Sequence, residues 1–253
     1  MRVGQAYISE SLDKFRINYL YKFGLKDGTN VNAPIVIFGL YQDIDYDVYS
    51  NHNHRVIVVW CGSDALKINE SRAKKLRERD AIHIAKSKYI SDTLKRHGIK
   101  HRIIPITWQR GVVDVVPLGE NIYHYGNGVD DFYGDNYIPE IERCTGVKVI
   151  STRKDMFSRE ELRDVYANCF IGLRMTPHDG IPNTVVELGL MGRYCIYNGS
   201  IPNAIPWRNV NDACEKIRML HGRRSKYNLM RLAIQVKKFI NIGDNWLNLK
   251  NYE

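Results

Sequence analysis

The 253-residue sequence has no apolar run approaching the roughly 18 residues of a membrane helix, and Met1-Arg2-Val3-Gly4 leads into no signal-peptide core. Those absences predict a soluble, unexported chain without a transmembrane segment. Cysteine is sparse. Cys61, Cys144, Cys169, Cys195 and Cys214 are odd in number, scattered and without a CxxC pair, which argues against disulfides and zinc and for reduced core thiols in a cytoplasm, a host's if the protein is viral. There is no disordered tail and no repeat of fixed period. Acidic residues are scarce in one region: residues 71–110 hold twelve Lys/Arg against three Asp/Glu, a local +9 that equals the whole chain's net charge. A concentrated excess of that kind suits a polyanion such as DNA, or peripheral contact with an anionic membrane. A solvated helix face is the plainer reading of a charge run.

What is present is an alternation of strand and helix patterns. The runs at 33–41 (APIVIFGLY) and 54–60 (HRVIVVW) predict buried parallel strands joined by the short acidic connection 43–47. The second run ends in Cys61-Gly62-Ser63-Asp64, a small-residue turn at a strand's carboxyl end, where open α/β sheets bind ligands. Gly62, Ser63 and Asp64 are therefore candidates for a ligand site, although Asp64 is also placed to cap the following segment. A helix over 70–79, a strand over 80–85, a helix opened by Ser87 and closed by Gly98, and a strand over 101–106 complete a Rossmann-like half. A linker over 109–119 divides the chain into domains 1–112 and 113–253. In the second, a helix over 133–144, a strand over 147–151, a capping box at Ser158-Arg159-Glu160-Glu161 and a strand from Phe170 repeat the alternation. Helices over 212–221 and 226–240 follow, the last expected to pack back across the junction.

Residues 176–192 organise the rest. Asp179-Gly180-Ile181-Pro182 is a turn sequence, Asn183 reads as an N-cap, and an apolar helix over 184–191 is stopped by Gly192. A strand delivering a turn into a helix aims free amides and the positive end of the helix dipole at one spot, an anion site suited to phosphate. Asp179 and Glu187 flank it with hydroxyl-accepting carboxylates. A nucleotide sugar satisfies both. On an apolar helix, Glu187 also needs a buried partner.

Asp179, seven intervening positions of which Gly180 is the first, and then Glu187 resemble the C-terminal signature of retaining GT-B glycosyltransferases, family 4 in particular. The Cys61-Gly62-Ser63-Asp64 turn and the Ser87-capped helix have looser counterparts in that family's acceptor domain, which implies that Gly62, Ser63 and Asp64 lie on the acceptor side. The resemblance implies an α/β GT-B fold, two Rossmann-like domains with a cleft between them, and sugar transfer from a nucleotide-sugar co-substrate to a hydroxyl with retention, without cofactor or metal. It assigns Asp179 to hydroxyls of the donor sugar, Gly180, Asn183 and Thr184 to the pyrophosphate, and Glu187 to the ribose, with His178 beside them. Asp179, Glu187 and Asp64 are the catalytic candidates. The family's Arg and Lys after the first strand of the C-terminal domain have no counterpart in Gly126-Asn127-Gly128-Val129-Asp130, so Arg174 is the substitute candidate for the phosphate. Asp43-Ile44-Asp45 is a DxD triplet of the sort that holds metal in GT-A enzymes, and no metal role is expected for it here. His52, His54 and His83 sit at strand ends, and Trp60, Trp108 and Trp207 suit core packing. The acceptors in view are hydroxymethylated bases of phage-type DNA, reached through the basic region, or a glycan or lipid-linked sugar; a non-catalytic scaffold that binds nucleotide or DNA is the other alternative.

Overall fold

Ile35–Phe38 and Val56–Trp60 are strands buried at every residue, which explains why their sequences are apolar without alternation. The structure, a computed structural model, describes residues 1–109, 114–126, 131–152, 157–177, 179–226 and 228–253. The chain divides into two units: Met1–Arg110, Asp179–Ile181 and Ile240–Glu253 form the first, Gly111–His178 and Pro182–Phe239 the second. The boundary expected at 112/113 lies outside the described residues.

The first unit carries strands β1 (Gln5–Ile8), β2 (Lys26–Asp27), β3 (Ile35–Phe38), β4 (Val56–Trp60), β5 (Ala81–Ala85) and β6 (Arg102–Ile103), and helices α1 (Arg16–Phe23), α2 (Asp43–Asn51), α3 (Glu70–Glu78) and α4 (Lys88–Arg96). The six strands form one parallel sheet in the order β2-β1-β3-β4-β5-β6. Strand periodicity divides the core between its faces. Val36, Phe38, Ile57 and Val59 pack with Tyr19, Phe23, Trp246 and Leu247 on one side, while Ile35, Ile37, Val58 and Trp60 meet Tyr46, Leu76 and Ile90 on the other. The end of the chain thus closes this unit's core, with Trp246 edge-on to Phe23 at 5.2 Å.

The acidic connection is helical. Gln42 and Asp45 form a capping box at the start of α2, and buried Asp45 accepts from the Tyr7 and Ser9 hydroxyls, both at 2.8 Å, and from the amides of Tyr41 and Gln42. Asp43 pairs with Arg72 at 2.6 Å. The DxD triplet is therefore a helix start whose carboxylates hold protein groups.

The second unit carries β7 (Asn121–His124), α5 (Ile138–Thr145), β8 (Val149–Ser151), α6 (Arg159–Ala167), β9 (Cys169–Leu173), α7 (Asn183–Leu190), β10 (Tyr194–Ile196), β11 (Ala204–Ile205), α8 (Val210–Gly222) and α9 (Leu229–Ile240). Its five strands are parallel in the order β11-β10-β9-β7-β8. The Ser158 and Glu161 capping box opens α6. One expectation is overturned: Cys144 on α5 and Cys214 on α8 form a disulfide, with Cα atoms 6.2 Å apart. Their sequence separation of 70 hides the pairing, because only helix packing brings them together. Cys61, Cys169 and Cys195 are free thiols.

Arg193, fully buried, ties this unit together. Its guanidinium donates to the carbonyls of Tyr166 at 3.1 Å, Val116 at 2.9 Å and Pro117 at 2.6 Å. Burial lowers its pKa, yet five donors in a fixed fork match a ring of carbonyls that no other side chain could satisfy.

Candidate functional site

β9 runs into a buried segment, Arg174, Met175 and Thr176, before the turn that opens α7. The helix starts one residue earlier than predicted. Pro182, at φ −67° and ψ 130°, occupies the N-cap position without a side-chain cap bond, and Asn183 is the first helical residue. Proline's fixed φ suits an extended N-cap, but it brings no side-chain acceptor for the first turn's amides. Gly192 closes the far end at φ +84°, where a Cβ would stand 2.7 Å from the Leu229 Cβ.

Glu187 is half-buried, and the Tyr166 hydroxyl donates to its Oε2 at 3.2 Å. Tyr166 stands edge-on to Tyr123 at 4.8 Å. Burial pushes the Tyr123 phenol up to about 12 and raises Tyr166 well above its ordinary value, so both remain protonated donors at neutral pH. The required partner of Glu187 is thus a tyrosine 21 residues upstream, invisible to a local reading. Thr184, on the helix's first turn, is buried.

Asp179 is half-buried and its Oδ1 accepts from the Gly180 amide at 2.7 Å. Gly180 is required by space: a Cβ there would lie 2.9 Å from the Cys61 carbonyl oxygen and 3.5 Å from Ile90 Cδ1. His178 falls outside the described residues.

The carboxyl ends of β7, β8 and β9 gather a polar cluster. Arg174 is 8% exposed and its guanidinium lies over the Tyr125 and Tyr133 rings at 4.4 and 4.2 Å. His124, the last residue of β7, has Nδ1 3.1 Å from Ser151 Oγ, at the end of β8, and Nε2 3.0 Å from the Tyr133 carbonyl. Asp135 is buried 3.9 Å from His124. Among the described residues the Thr176 hydroxyl is buried without a hydrogen-bond partner. His124, Ser151 and Asp135 were absent from the candidate set, and the signal that could have found them is position: His124 and Ser151 end parallel strands.

The Cys61 turn has a different character. Asp64 is fully buried, accepting from the amides of Cys61 at 2.9 Å, Gly62 at 2.7 Å and Ala65 at 3.0 Å. Burial raises its carboxyl pKa against the pull of those amides. The carboxylate forms the turn, with Ser63 exposed and the Gly62 carbonyl accepting from Ala65. The buried cation beside it is Lys86, which follows β5, is 7% exposed and donates to the Tyr19 hydroxyl at 2.9 Å. In the sequence Lys86 is only one member of the charge run over 71–110. The other strand-end residues are structural: His52 meets the Ala33 carbonyl at 2.7 Å, His54 accepts the Arg55 amide, and His83 accepts from the Trp60 indole at 3.3 Å. Trp108 stacks on Phe15, and Trp207 meets Tyr137 edge-on.

Much of the basic region is engaged by the protein itself. Arg77 pairs with Glu70, Lys88 and Lys95 with Asp92, and Lys74 with Glu78. Arg79 donates to the carbonyls of Tyr49, Ser50, His52 and His54. Among the described residues no group of three or more His, Cys, Asp or Glu is placed to hold a metal ion, and no helix is long and apolar enough to cross a membrane.

No protein-family model matches the chain, and no curated protein matches it either. Solved structures do. TarM superposes with TM-score 0.63 at 11% identity, covering 89% of this chain and 55% of TarM. HepE from Anabaena, in complex with UDP and glucose, gives 0.60 at 9% identity, covering 88% and 78%. Sucrose-phosphate synthase from Thermosynechococcus elongatus gives 0.58 at 14%, covering 96% and 77%. The fold is that of GT-B glycosyltransferases. Both parallel sheets fit the paired Rossmann-like domains of GT-B structures, and the chain spans about half the length of TarM.

Proposed function

We propose that this protein is a nucleotide-sugar-dependent glycosyltransferase that acts with retention and resembles family 4. The observation that carries this reading is the start of α7: a helix without a side-chain cap, entered through the Asp179-Gly180 turn and bearing a half-buried Glu187 whose other side is held by Tyr166. In this reading the ribose hydroxyls donate to Glu187 and the donor-sugar hydroxyls to Asp179. The amides at the start of α7 face the pyrophosphate, where the helix dipole favours negative charge. As the bond from the anomeric carbon to the phosphate oxygen breaks, charge grows on the departing diphosphate, and fixed amides stabilise it without reorganising. Arg174, set against two tyrosine rings, is the cation assigned to that charge in place of the family's Arg and Lys. No protein nucleophile, cofactor or metal is assigned, and the donor is a co-substrate.

The acceptor reading favoured is a glycan or lipid-linked sugar. A hydroxymethylated base would have to be flipped out of a duplex and would draw on residues 71–110, where Arg72, Arg77 and Lys88 already pair with carboxylates. The experiment is nucleotide release from a panel of nucleotide sugars, with and without glycan, lipid-linked and hydroxymethylated-DNA acceptors, and with the product's anomeric configuration read by NMR. Release that needs a hydroxyl acceptor, gives a retained product and is lost in Asp179→Ala and Glu187→Ala supports the proposal. Wild-type release by both variants overturns the site, an inverted product overturns retention, and nucleotide binding without turnover means a scaffold.

A further inference from the structure

After Glu215 the next acidic residue is Asp244, and the interval holds eight Lys/Arg. Lys216 is taken by Asp212 and Arg224 by Glu120. The other six are exposed and have no acidic partner among the described residues. Lys148 apart, the exposed cations without an acidic partner among the described residues of the second unit are gathered here.

α9 gives that surface a pattern. Its inner side buries Leu232, Ala233, Val236 and Ile240, with Val236 close against Gly189 of α7. Outward it presents Met230 and Ile234, exposed by 57% and 46% although both are large and apolar. At about 100° per residue these two lie side by side, with Lys237 on one flank and Lys238 and Arg231 on the other. The helix contains no acid.

An apolar pair edged by cations on both flanks is the face of a helix lying in a lipid interface. Nucleic acid would use the cations but leave the apolar pair unused. A second copy of the chain would set three cations against three. We propose that the outward face of α9 rests on an anionic bilayer, with Arg231, Lys237 and Lys238 at the headgroups and Met230 and Ile234 entering the acyl boundary. This binding stands independently of the catalytic reading.

The test is co-sedimentation with vesicles of phosphatidylcholine alone or mixed with phosphatidylglycerol. The wild type should pellet with the mixed vesicles only, less so as salt rises. Each cation contributes about fivefold to partitioning, so Arg231→Gln/Lys237→Gln/Lys238→Gln should weaken it on the order of a hundredfold. Met230→Ser/Ile234→Ser should make the remaining binding more salt-sensitive. Both are surface changes that should leave thermal unfolding unaltered, which circular dichroism checks. Lys74→Gln/Lys75→Gln/Lys88→Gln on α3 and α4 should retain wild-type binding. Failure of the wild type to pellet with the mixed vesicles, equal loss in the α3/α4 variant, or duplex-DNA retardation through α9 without vesicle binding would each overturn the proposal.

Discussion

Asp64→Ala separates a turn-forming role for this carboxylate from a role in acceptor chemistry. The side chain is fully buried and accepts from the amides of Cys61, Gly62 and Ala65. Alanine would orphan the Cys61 and Gly62 amides at about 1–3 kcal/mol each, while Ala65 keeps the Gly62 carbonyl, and the loss is partly offset because a buried carboxylate no longer has to be accommodated. The expected net loss is about 3 kcal/mol, or a drop in Tm of about 6–12 °C for a chain of this size. Asp64→Asn keeps the Oδ1 that accepts from Cys61, Gly62 and Ala65 and turns an NH2 towards the Cys61 amide only where Oδ2 stood, so it should lose about half as much. Thermal scans by circular dichroism read both. A Tm for Asp64→Ala within about 2 °C of wild type would refute the turn account. So would equal, fully folded Ala and Asn variants that both lack turnover, since that is the behaviour of a catalytic acid.

Gly180→Ala should destabilise the turn by about 1–3 kcal/mol and reduce transfer, because its Cβ would press on the Cys61 carbonyl; an unchanged Tm would contradict that packing. Opening the Cys144–Cys214 bridge, with its separation of 70 residues, should cost about 4 kcal/mol. Thiol titration of the denatured, unreduced protein should find three thiols, and five would exclude the bridge. His83 is buried and its pKa is lowered to about 4 by that burial. The unfolded chain therefore binds the extra proton, so stability is complete above about pH 6.5 and declines by about 3 kcal/mol as pH falls to about 4. His83→Leu should flatten that decline in urea titrations across the window, and an unaltered pH profile would rule out the assignment.

The fold was largely legible because a parallel sheet leaves a local trace. β3, β4 and β9 are continuous apolar runs, and each is a buried strand. β1 and β2 escaped because four and two residues carry too little pattern to distinguish strand from loop. Asn183 was read as the N-cap from its side chain, but the backbone of Pro182 already supplies the extended geometry that position needs. The chemistry of the site was legible only where it is contiguous. The Asp179 turn and Glu187 lie in one short stretch, whereas the Tyr166 partner, the Tyr125 and Tyr133 rings around Arg174, and the His124–Ser151 pair are assembled from separate strands and helices. Net charge misled for the same reason. Residues 71–110 hold the excess in sequence, but several of those cations face carboxylates or carbonyls, whereas among the described residues of the second unit the exposed cations without acidic partners, Lys148 apart, lie on α8, α9 and the segment between them.

The most direct measurement is calorimetric titration of a panel of nucleoside diphosphates into the wild type and Glu187→Gln. The account predicts that the wild type binds at least one of them. Loss of the charged acceptor for the ribose should then weaken that ligand about 10–100-fold with no change in Tm beyond that of Tyr166→Phe. Equal affinity of the wild type and Glu187→Gln for every nucleotide that binds would contradict the role given to the start of α7.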